Sequence, residues 1–344
     1  MSATVIAGEL LATAQALVAD AKGLLAIDES THTCNQRFAA VGIAQTVEAR
    51  RAYRELIVTT PGLGESISGA ILYDETIHQH TTDGTPFVQV LANAGIIAGI
   101  KVDTGTTDMA GHLGEKVTEG LDGLGDRLAV YARLGARFAK WRAVLSIGDG
   151  TPSPACIEAN AEALARYAVL CQEGGLVPVV EPEVLMDGPH PVERCSEVTE
   201  DVLQTVFDAL HGQSVTLETM VLKPNMVLAG STCRSQPSVA EVADATATCL
   251  SRAVPAAVAG IAFLSGGQPA ELASARLNAL NRRSGATSPW ALSFSFGRAI
   301  QQPALQIWHG EAARVAAAQR ALRHRADCNR AARRGRYSAT METT

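Results

Sequence analysis

The residue best suited to covalent chemistry in this sequence is a lysine inside an apolar run. Lys223 stands in residues 221–226 (VLKPNM), a run typical of a buried β-strand. A buried ammonium is costly unless it is paired or loses its proton. Only five of the 29 basic residues are lysines, and a lysine, unlike an arginine, can lose its proton and add to a carbonyl carbon. Lys223 is therefore the candidate nucleophile.

Further ionisable residues collect at the ends of other apolar runs. They are Asp28, Lys101, Asp103, Lys140, Arg142, Glu181 and Glu183. Because side chains at positions i and i+2 point to one face of a strand, Lys140 is expected to share a face with Arg142, and Glu181 with Glu183. We place both pairs on the inner face of the sheet. A shift of one residue would turn them toward the covering helices instead.

These residue types together suit imine chemistry. Cations near a lysine favour its neutral, nucleophilic form, and carboxylates nearby can carry the protons that imine formation requires. Such pairs can also be polar layers without a catalytic role. That interpretation suits a single pair better than three lysines, four carboxylates and an arginine near strand ends.

Two loops have the composition of anion sites. Ser265-Gly266-Gly267 follows the seventh apolar run, and Gly297-Arg298 closes the eighth. Backbone N–H groups in such loops bind phosphate, and an arginine adds charge-assisted hydrogen bonds. After the first run, Ser30, Thr33 and Arg37 could contact a second phosphate. A helix-capping role for the two hydroxyls explains them equally well.

Eight apolar runs alternate with helical patterns along the chain. The runs cover residues 22–30, 67–74, 96–103, 138–145, 176–183, 220–227, 260–266 and 291–298. The helical patterns cover residues 5–21, 46–58, 121–134, 154–173, 192–210, 239–253 and 268–281. Buried strands alternating with helices predict an α/β fold, a (β/α)8 TIM barrel. The alternative is an open doubly wound sheet, but no glycine-rich dinucleotide turn follows the first strand.

The predicted barrel is a single domain over residues 1–344. It has an extra N-terminal helix, a C-terminal helix within about 299–336, and a short tail over about 330–344. Eight arginines lie between Arg314 and Arg336. Such a run is typical of a solvated helix face, although it leaves an anionic partner open.

Composition excludes several classes of protein. A net charge of −6 argues against nucleic-acid binding. The sequence has no apolar stretch long enough for a membrane span and no secretory leader, which predicts no membrane partner and a cytoplasmic location. Seven cysteines without a CxxC pair predict free thiols. His78 and His80 predict an exposed loop and not a metal site.

Seven short motifs occur in order along nearly the whole chain. They are residues 25–30 (LAIDES), 99–103 (GIKVD), 140–142 (KWR), 180–183 (VEPE), 222–226 (LKPNM), 263–268 (FLSGGQ) and 294–298 (FSFGR). From about residue 5 to 337 the sequence resembles class I fructose-1,6-bisphosphate aldolases. The resemblance implies reversible cleavage of fructose 1,6-bisphosphate to dihydroxyacetone phosphate and glyceraldehyde 3-phosphate.

The resemblance also implies a role for each matching residue. Lys223 would form the Schiff base, Lys140 would assist by charge, and Asp28 would orient the amine and the hydroxyl at the bond that breaks. Glu181 would be the general acid and base, tuned by Glu183. The substrate-binding residues would be Ser265, Gly266, Gly297 and Arg298 at one phosphate, Ser30, Thr33, Arg37 and Lys101 at the other end, and Arg142 along the phosphate path.

By the same resemblance the protein would need no cofactor or metal, would bind a small-molecule phosphosugar, and would form a homotetramer. Three features depart from the family. Thr33 stands where serine is frequent, Gln36 stands where lysine is common, and the chain ends soon after Tyr337, without the long mobile tail and terminal tyrosine of animal and plant members. Tyr337 is not assigned that tyrosine's role. The alternatives are another Schiff-base barrel, such as a transaldolase, and a scaffold protein acting through its basic C-terminal segment.

Overall fold

Eight parallel strands close into a barrel in the computed structural model, which describes residues 3–343. The barrel strands are β1 (Gly23–Ile27), β2 (Ile67–Leu72), β3 (Ile97–Lys101), β6 (Phe138–Leu145), β7 (Val177–Val184), β8 (Val221–Leu222), β9 (Gly260–Phe263) and β10 (Ala291–Phe296). They pair in chain order, and β10 pairs with β1 to close the ring. The predicted TIM barrel is confirmed and the open sheet is wrong. The single domain over residues 1–344 extends beyond the described residues at both ends and stays a prediction.

The helices are α1 (Ala3–Leu17), α2 (Thr31–Ala40), α3 (Val47–Val58), α4 (Asp74–Ile77), α5 (Phe87–Asn93), α6 (Leu124–Leu134), α7 (Pro154–Glu173), α8 (Val192–Gly212), α9 (Val239–Ala253), α10 (Ala270–Ser284), α11 (Arg298–Trp308) and α12 (Val315–Arg333). Helices α7 and α9 match their predicted bounds and have clear caps. The Ser153 hydroxyl caps α7, and Ser238 with Glu241 forms a capping box at α9. No helix within residues 3–343 is long and apolar enough to cross a bilayer.

Several elements follow no strong apolar pattern and were not predicted. Helix α2 buries only Cys34 and Phe38, and α4 and α5 are short. An antiparallel hairpin, β4 (Gly105–Asp108) with β5 (Lys116–Glu119), follows β3. Sequence periodicity needs a longer, one-sided apolar pattern than these segments carry.

Two hydrophobic clusters show which side chains point into the barrel and which point toward the helices. Phe138 packs with α1 in the inner cluster, whereas Trp141 lies in the outer cluster between the barrel and its helices, 5.6 Å from the Tyr167 ring. Alternation along β6 then places Lys140 and Arg142 inside the barrel. The predicted inward orientation of this pair is confirmed.

Inside the barrel, close packing depends on residues without side chains. A Cβ atom on Gly99 would lie 2.3 Å from the Phe138 ring, and one on Gly69 would lie 3.1 Å from it. Glycine at both positions lets the ring fill the barrel centre below the polar residues. Helix α1 closes the bottom of the barrel, where Leu10, Ala14 and Leu17 join the inner cluster. The barrel interior is therefore apolar at its lower end and polar at its upper end.

Strand β8 is shorter than the predicted run of residues 220–227. It ends at Leu222, so the prediction that Lys223 lies within a strand is wrong by one residue. The backbone N–H of Lys223 still donates to the Val180 carbonyl at 2.8 Å. Pro224 has no N–H to continue the ladder. Lys223 therefore stands at the carboxyl end of the strand.

The C-terminal arginines are not one solvated helix face, and that prediction is wrong for two of them. Arg325 is 4% exposed and contacts the Glu342 carboxylate. Arg333 donates to the carbonyl oxygens of Val18, Ala19 and Lys22, which follow α1. The segment also divides into two helices, because His309 and Gly310 take positive φ angles between α11 and α12.

The predictions for cysteine and histidine are confirmed. All seven cysteines are free, and Cys233 is the only one that is not buried. His78 and His80 are both exposed, as predicted for a loop.

Candidate active site

One cavity of about 990 Å³ opens at the carboxyl ends of the barrel strands. All fourteen residues that the sequence singled out as catalytic or substrate-binding line it. They come from seven different strand ends or the loops that follow them. A TIM barrel carries its active site at this end, built from the βα-loops. The cavity is therefore the candidate active site.

A chain of alternating charges crosses the floor of the cavity. Lys223 Nζ lies 3.0 Å from Glu181 Oε1, and Lys140 Nζ lies 2.8 Å from the other oxygen, Oε2. Lys140 Nζ also donates to Asp28 Oδ2 at 2.9 Å. The four residues are between 3% and 9% exposed. Two lysines and two acidic side chains thus alternate in a largely buried row at the cavity.

The charge chain fixes the protonation states at rest. Burial alone would raise the pKa of Glu181, but Lys140, Lys223 and Arg142 outweigh it and hold the pKa below its usual range. For Asp28 the lysines likewise outweigh burial, and the pKa is lowered. Burial would lower the pKa of Lys140, yet Asp28 and Glu181 raise it. Both carboxylates are therefore ionised and Lys140 is protonated at neutral pH.

The sequence predicted both cations and carboxylates near Lys223. The structure puts the Glu181 carboxylate in direct contact with the Lys223 side chain. Glu181 therefore stands where it can take a proton from the amine directly.

Two further ion pairs line the wall of the cavity. Lys101 Nζ donates to the Asp103 carbonyl at 2.8 Å and contacts its carboxylate. Arg142 Nε donates to Glu183 Oε2 at 2.5 Å. Burial alone would lower the pKa of Arg142, but Glu183 and Glu181 outweigh burial and raise it. The Asp103 carboxylate accepts from the backbone N–H of Arg142 at 3.2 Å. These contacts therefore connect β3, β6 and β7 along one wall of the cavity.

The loops after β9 and β10 meet at one side of the cavity. Gly266 and Gly267 have φ angles of +55° and +90°, a region that favours glycine. A Cβ atom on Gly267 would lie 3.1 Å from Arg298 Nη2, so the exposed guanidinium passes close over the loop backbone. Gly297 precedes α11, which places the start of that helix at the cavity. The predicted anion loop and arginine are adjacent.

The loop after β1 shows the capping role left open by the sequence. Ser30 caps α2, accepting from the Thr33 N–H at 3.2 Å, and the two hydroxyls lie 3.1 Å apart. Arg37 contacts Glu29, which is also paired with the buried Arg54 at 2.8 Å. Ser30, Thr33 and Arg37 nevertheless line the cavity. Capping and ligand contact are therefore compatible here.

Sequence reasoning missed residues that support the site. Ser295 lines the cavity, and its buried hydroxyl finds no hydrogen-bond partner among residues 3–343. Arg276 is 5% exposed and donates to Gln268 Oε1 at 2.9 Å, and the Gln268 N–H donates to the Ser265 carbonyl at 2.9 Å. Arg276 thereby braces the loop after β9. The alternation of β10 could have indicated Ser295, but nothing in the sequence indicated Arg276.

Tyr337 lies at a different place on the molecule. Its hydroxyl donates to Glu342 Oε1 at 2.7 Å, and its ring borders a groove along α10. This position agrees with leaving Tyr337 out of the catalytic residues.

Comparison with known proteins points to one family over nearly the whole chain. The profile of the family described as fructose-bisphosphate aldolase class-I matches residues 9–344. A probable fructose-bisphosphate aldolase class 1 of Xanthomonas campestris is 56% identical, covering 96% of this chain and 98% of the relative. The cytosolic fructose-bisphosphate aldolase 5 of Arabidopsis thaliana is 51% identical, covering 96% and 92%.

A solved structure agrees with these sequence matches. The fructose-bisphosphate aldolase of Plasmodium falciparum, crystallised with TRAP and a small-molecule inhibitor, superposes with a TM-score of 0.96. It is 47% identical, covering 97% of this chain and 96% of that one. A lysine-centred cavity at the top of a TIM barrel and full-length matches of this strength lead to one conclusion: the chain belongs to the class I fructose-bisphosphate aldolase family and is a lyase of that class.

Proposed function

We propose that Lys223 is the nucleophile of the aldol cleavage and that Glu181, Lys140, Asp28 and Glu183 complete the catalytic group. The observation that carries the proposal is the 3.0 Å contact between Lys223 Nζ and Glu181 Oε1 inside the cavity. An ammonium must lose a proton before it can attack a carbonyl carbon. Glu181 is the base in direct contact with it, and the substrate's arrival separates the pair.

The charge chain provides each proton of imine formation. The neutral amine of Lys223 attacks the ketose carbonyl, so that a C–N bond forms as the π bond of the carbonyl breaks. A proton of the attached nitrogen then moves to the oxygen, which becomes a hydroxyl. Glu181, now protonated, returns its proton to that hydroxyl, which leaves as water. Lys140 stays protonated between Asp28 and Glu181 and stabilises negative charge on oxygen during both steps.

Cleavage uses the iminium as an electron sink. Glu181 removes the proton of the C4 hydroxyl, the C3–C4 bond breaks, and its electron pair moves into the iminium to give an enamine. The aldehyde product, glyceraldehyde 3-phosphate, leaves first. Asp28 lies within reach of Lys140 and of the reacting end of Lys223, so we assign it the orientation of amine and hydroxyl. Glu183, held by Arg142, tunes the charge around Glu181.

Two groups of candidate phosphate ligands on one cavity suit a bisphosphate. Ser265, Gly266, Gly297 and Arg298 would bind one phosphate. The other end would meet Ser30, Thr33, Arg37 and Lys101, with Arg142 along the path. Both groups lie on the same cavity as Lys223, which favours fructose 1,6-bisphosphate over the substrate of another Schiff-base barrel.

A cytoplasmic location and a homotetramer belong to the same proposal. The Arabidopsis relative is named cytosolic, and the tetramer rests on the family resemblance alone. The domain proposal is one barrel over residues 1–344 with a short tail.

The test of the nucleophile is a matched pair of lysine variants. Lys223→Arg keeps the positive charge that pairs with Glu181, so the fold should be retained. We expect kcat for fructose 1,6-bisphosphate to fall by at least about 1,000-fold, as for loss of a covalent nucleophile. Lys22→Arg, below the barrel, should keep full activity. An active Lys223→Arg enzyme would mean that another group attacks the ketose.

A further inference from the structure

The C-terminal segment brings three potential metal ligands together on the outside of the barrel. His324 and Cys328 lie on α12, and Glu342 lies in the short 3-10 helix Ala339–Thr343 that follows. Among residues 3–343 this is the one group of three His, Cys, Asp or Glu side chains whose ligand atoms converge, all within 4.8 Å of one another. It lies apart from the residues that line the active-site cavity.

The two distances from His324 to the other ligands have the size expected of a coordination shell. His324 Nε2 lies 3.6 Å from Cys328 Sγ and 3.5 Å from Glu342 Oε2. A nitrogen–oxygen distance of 3.5 Å is too long for an ordinary hydrogen bond, which spans about 2.7–3.2 Å. Bonds of about 2.0–2.3 Å from zinc, at tetrahedral angles, separate neighbouring ligand atoms by about 3.3–3.6 Å.

The neighbouring residues already orient these ligands. His324 and Cys328 are four residues apart, so they lie one turn apart on the same face of α12. Arg325 Nη1 lies 2.5 Å from both oxygens of Glu342, and the Tyr337 hydroxyl donates to Oε1 at 2.7 Å. Partners of this kind fix the geometry of a ligating carboxylate. A carboxylate oxygen can accept such bonds and still bind a cation through a second lone pair.

We propose that His324, Cys328 and Glu342 bind a zinc ion that fastens the C-terminal segment to α12. The Cys328 thiolate and the Glu342 carboxylate supply negative charge to the ion, and a soft sulfur with an imidazole favours zinc over magnesium or calcium. The His324 side chain is 37% exposed, which leaves a path for the ion and a position for water as the fourth ligand.

A competing explanation needs no metal. Arg325 and Tyr337 alone could hold Glu342, with Cys328 packed as a small apolar residue. The two explanations differ in what Cys328 does, because only the metal site requires its thiolate. They also differ in the effect of zinc, because only the metal site predicts that zinc holds the terminal segment more firmly in a chain that keeps Arg325.

The experiment is a metal titration of the untagged full-length protein after dialysis against a chelator. Zinc is titrated in competition with a chromophoric chelator, and cobalt is added separately to detect a thiolate-to-metal absorption band. We expect one ion per chain. His324→Gln and Glu342→Gln should each weaken zinc binding by more than about 100-fold. Loss of a residue that only contacts a metal ligand typically weakens metal binding by about 10- to 100-fold.

Cys328→Ser is the decisive variant, with Cys233→Ser as its control because Cys233 is the one cysteine of the seven that is not buried. The cobalt band should disappear in Cys328→Ser and persist in Cys233→Ser. Absence of stoichiometric binding, or a band that survives Cys328→Ser, would overturn the proposal. Glu342→Gln provides a second check if Cys328→Ser fails to fold, because it changes only the terminal segment.

Proteolysis tests whether the ion holds the segment. Arg336 is exposed, so trypsin can release the residues that follow it. Zinc should slow this release in the native chain and should have no effect on it in His324→Gln. Equal rates with and without zinc in the native chain would also overturn the proposal. Fructose 1,6-bisphosphate cleavage by each variant, which does not depend on this site, reports that the barrel is folded.

Discussion

The reactive centre is built from side chains that no short stretch of sequence brings together. Lys223, Glu181, Lys140 and Asp28 come from four strands, yet their charged atoms form a continuous chain with contacts of 2.8–3.0 Å. The sequence predicted their location, because each follows or ends an apolar run. It could not predict that Glu181 contacts both lysines, since that depends on the register of β7 with its neighbours.

Removal of the Lys140 charge should strongly destabilise the fold. In Lys140→Met, two buried carboxylates lose a shared cation, and removal of one partner from a buried pair costs about 3–5 kcal/mol. We expect the free energy of unfolding at pH 7 to fall by that amount, measured by chemical denaturation. Lys140→Arg keeps the charge and should lose much less stability, although its activity should fall.

The stability deficit of Lys140→Met should shrink as the pH falls from 7 toward 4. In the native chain the lysines outweigh burial and lower the pKa of Asp28. Its ionised form therefore stabilises the fold above its unfolded pKa of about 3.9, and this contribution is lost as the pH falls toward the folded pKa. Without Lys140, burial raises the pKa of the carboxylates in the folded variant, so protonation relieves the deficit. A deficit that grows with acid would contradict this electrostatic account.

At the scale of elements, the loops after β9 and β10 set the anion site. Gly267 combines a positive φ with the close approach of Arg298. In Gly267→Ala both the backbone and the guanidinium must shift, so we expect KM for fructose 1,6-bisphosphate to rise by about 10-fold or more, with a smaller change in kcat. Steady-state kinetics measure this split.

Gly285 is the control for that prediction. It also has a positive φ, of +46°, but a Cβ atom there would meet nothing within 4 Å. Gly285→Ala should therefore lose roughly 1 kcal/mol of stability from backbone strain and leave KM unchanged. If both variants raise KM equally, the Gly267 effect is a general loss of stability and not a change in the anion site.

The accuracy of the element predictions follows from the strength of the local signals. Helices α7 and α9 have hydroxyl caps and a long apolar face, and their predicted bounds match. The hairpin of β4 and β5 has mostly polar residues and pairs with itself, outside the barrel. The predicted sixth run was too long because apolar residues after Pro224 are buried without being in a strand. Burial and strand pairing are distinct, and the sequence pattern reports burial.

At the scale of the whole molecule, the C-terminal arginines connect the chain's two ends. Arg333 donates to carbonyl oxygens just after α1, which closes the barrel floor, and Arg325 contacts the terminal segment through Glu342. Sequence spacing could not separate these two arginines, which are not exposed, from the exposed Arg314, Arg320 and Arg334. Their partners are as much as 315 residues away. Long-range contacts of this kind are fixed by the closed barrel and are invisible in the local pattern.

The account depends most on the identity of the nucleophile, and covalent trapping tests it directly. Dihydroxyacetone phosphate and borohydride are added to the native enzyme, and the reduced adduct is located by proteolysis and mass spectrometry. We predict a single stable adduct on Lys223, since reduction of the imine makes the C–N bond permanent. An adduct on Lys140 or Lys101, with Lys223 unmodified, would contradict the central claim.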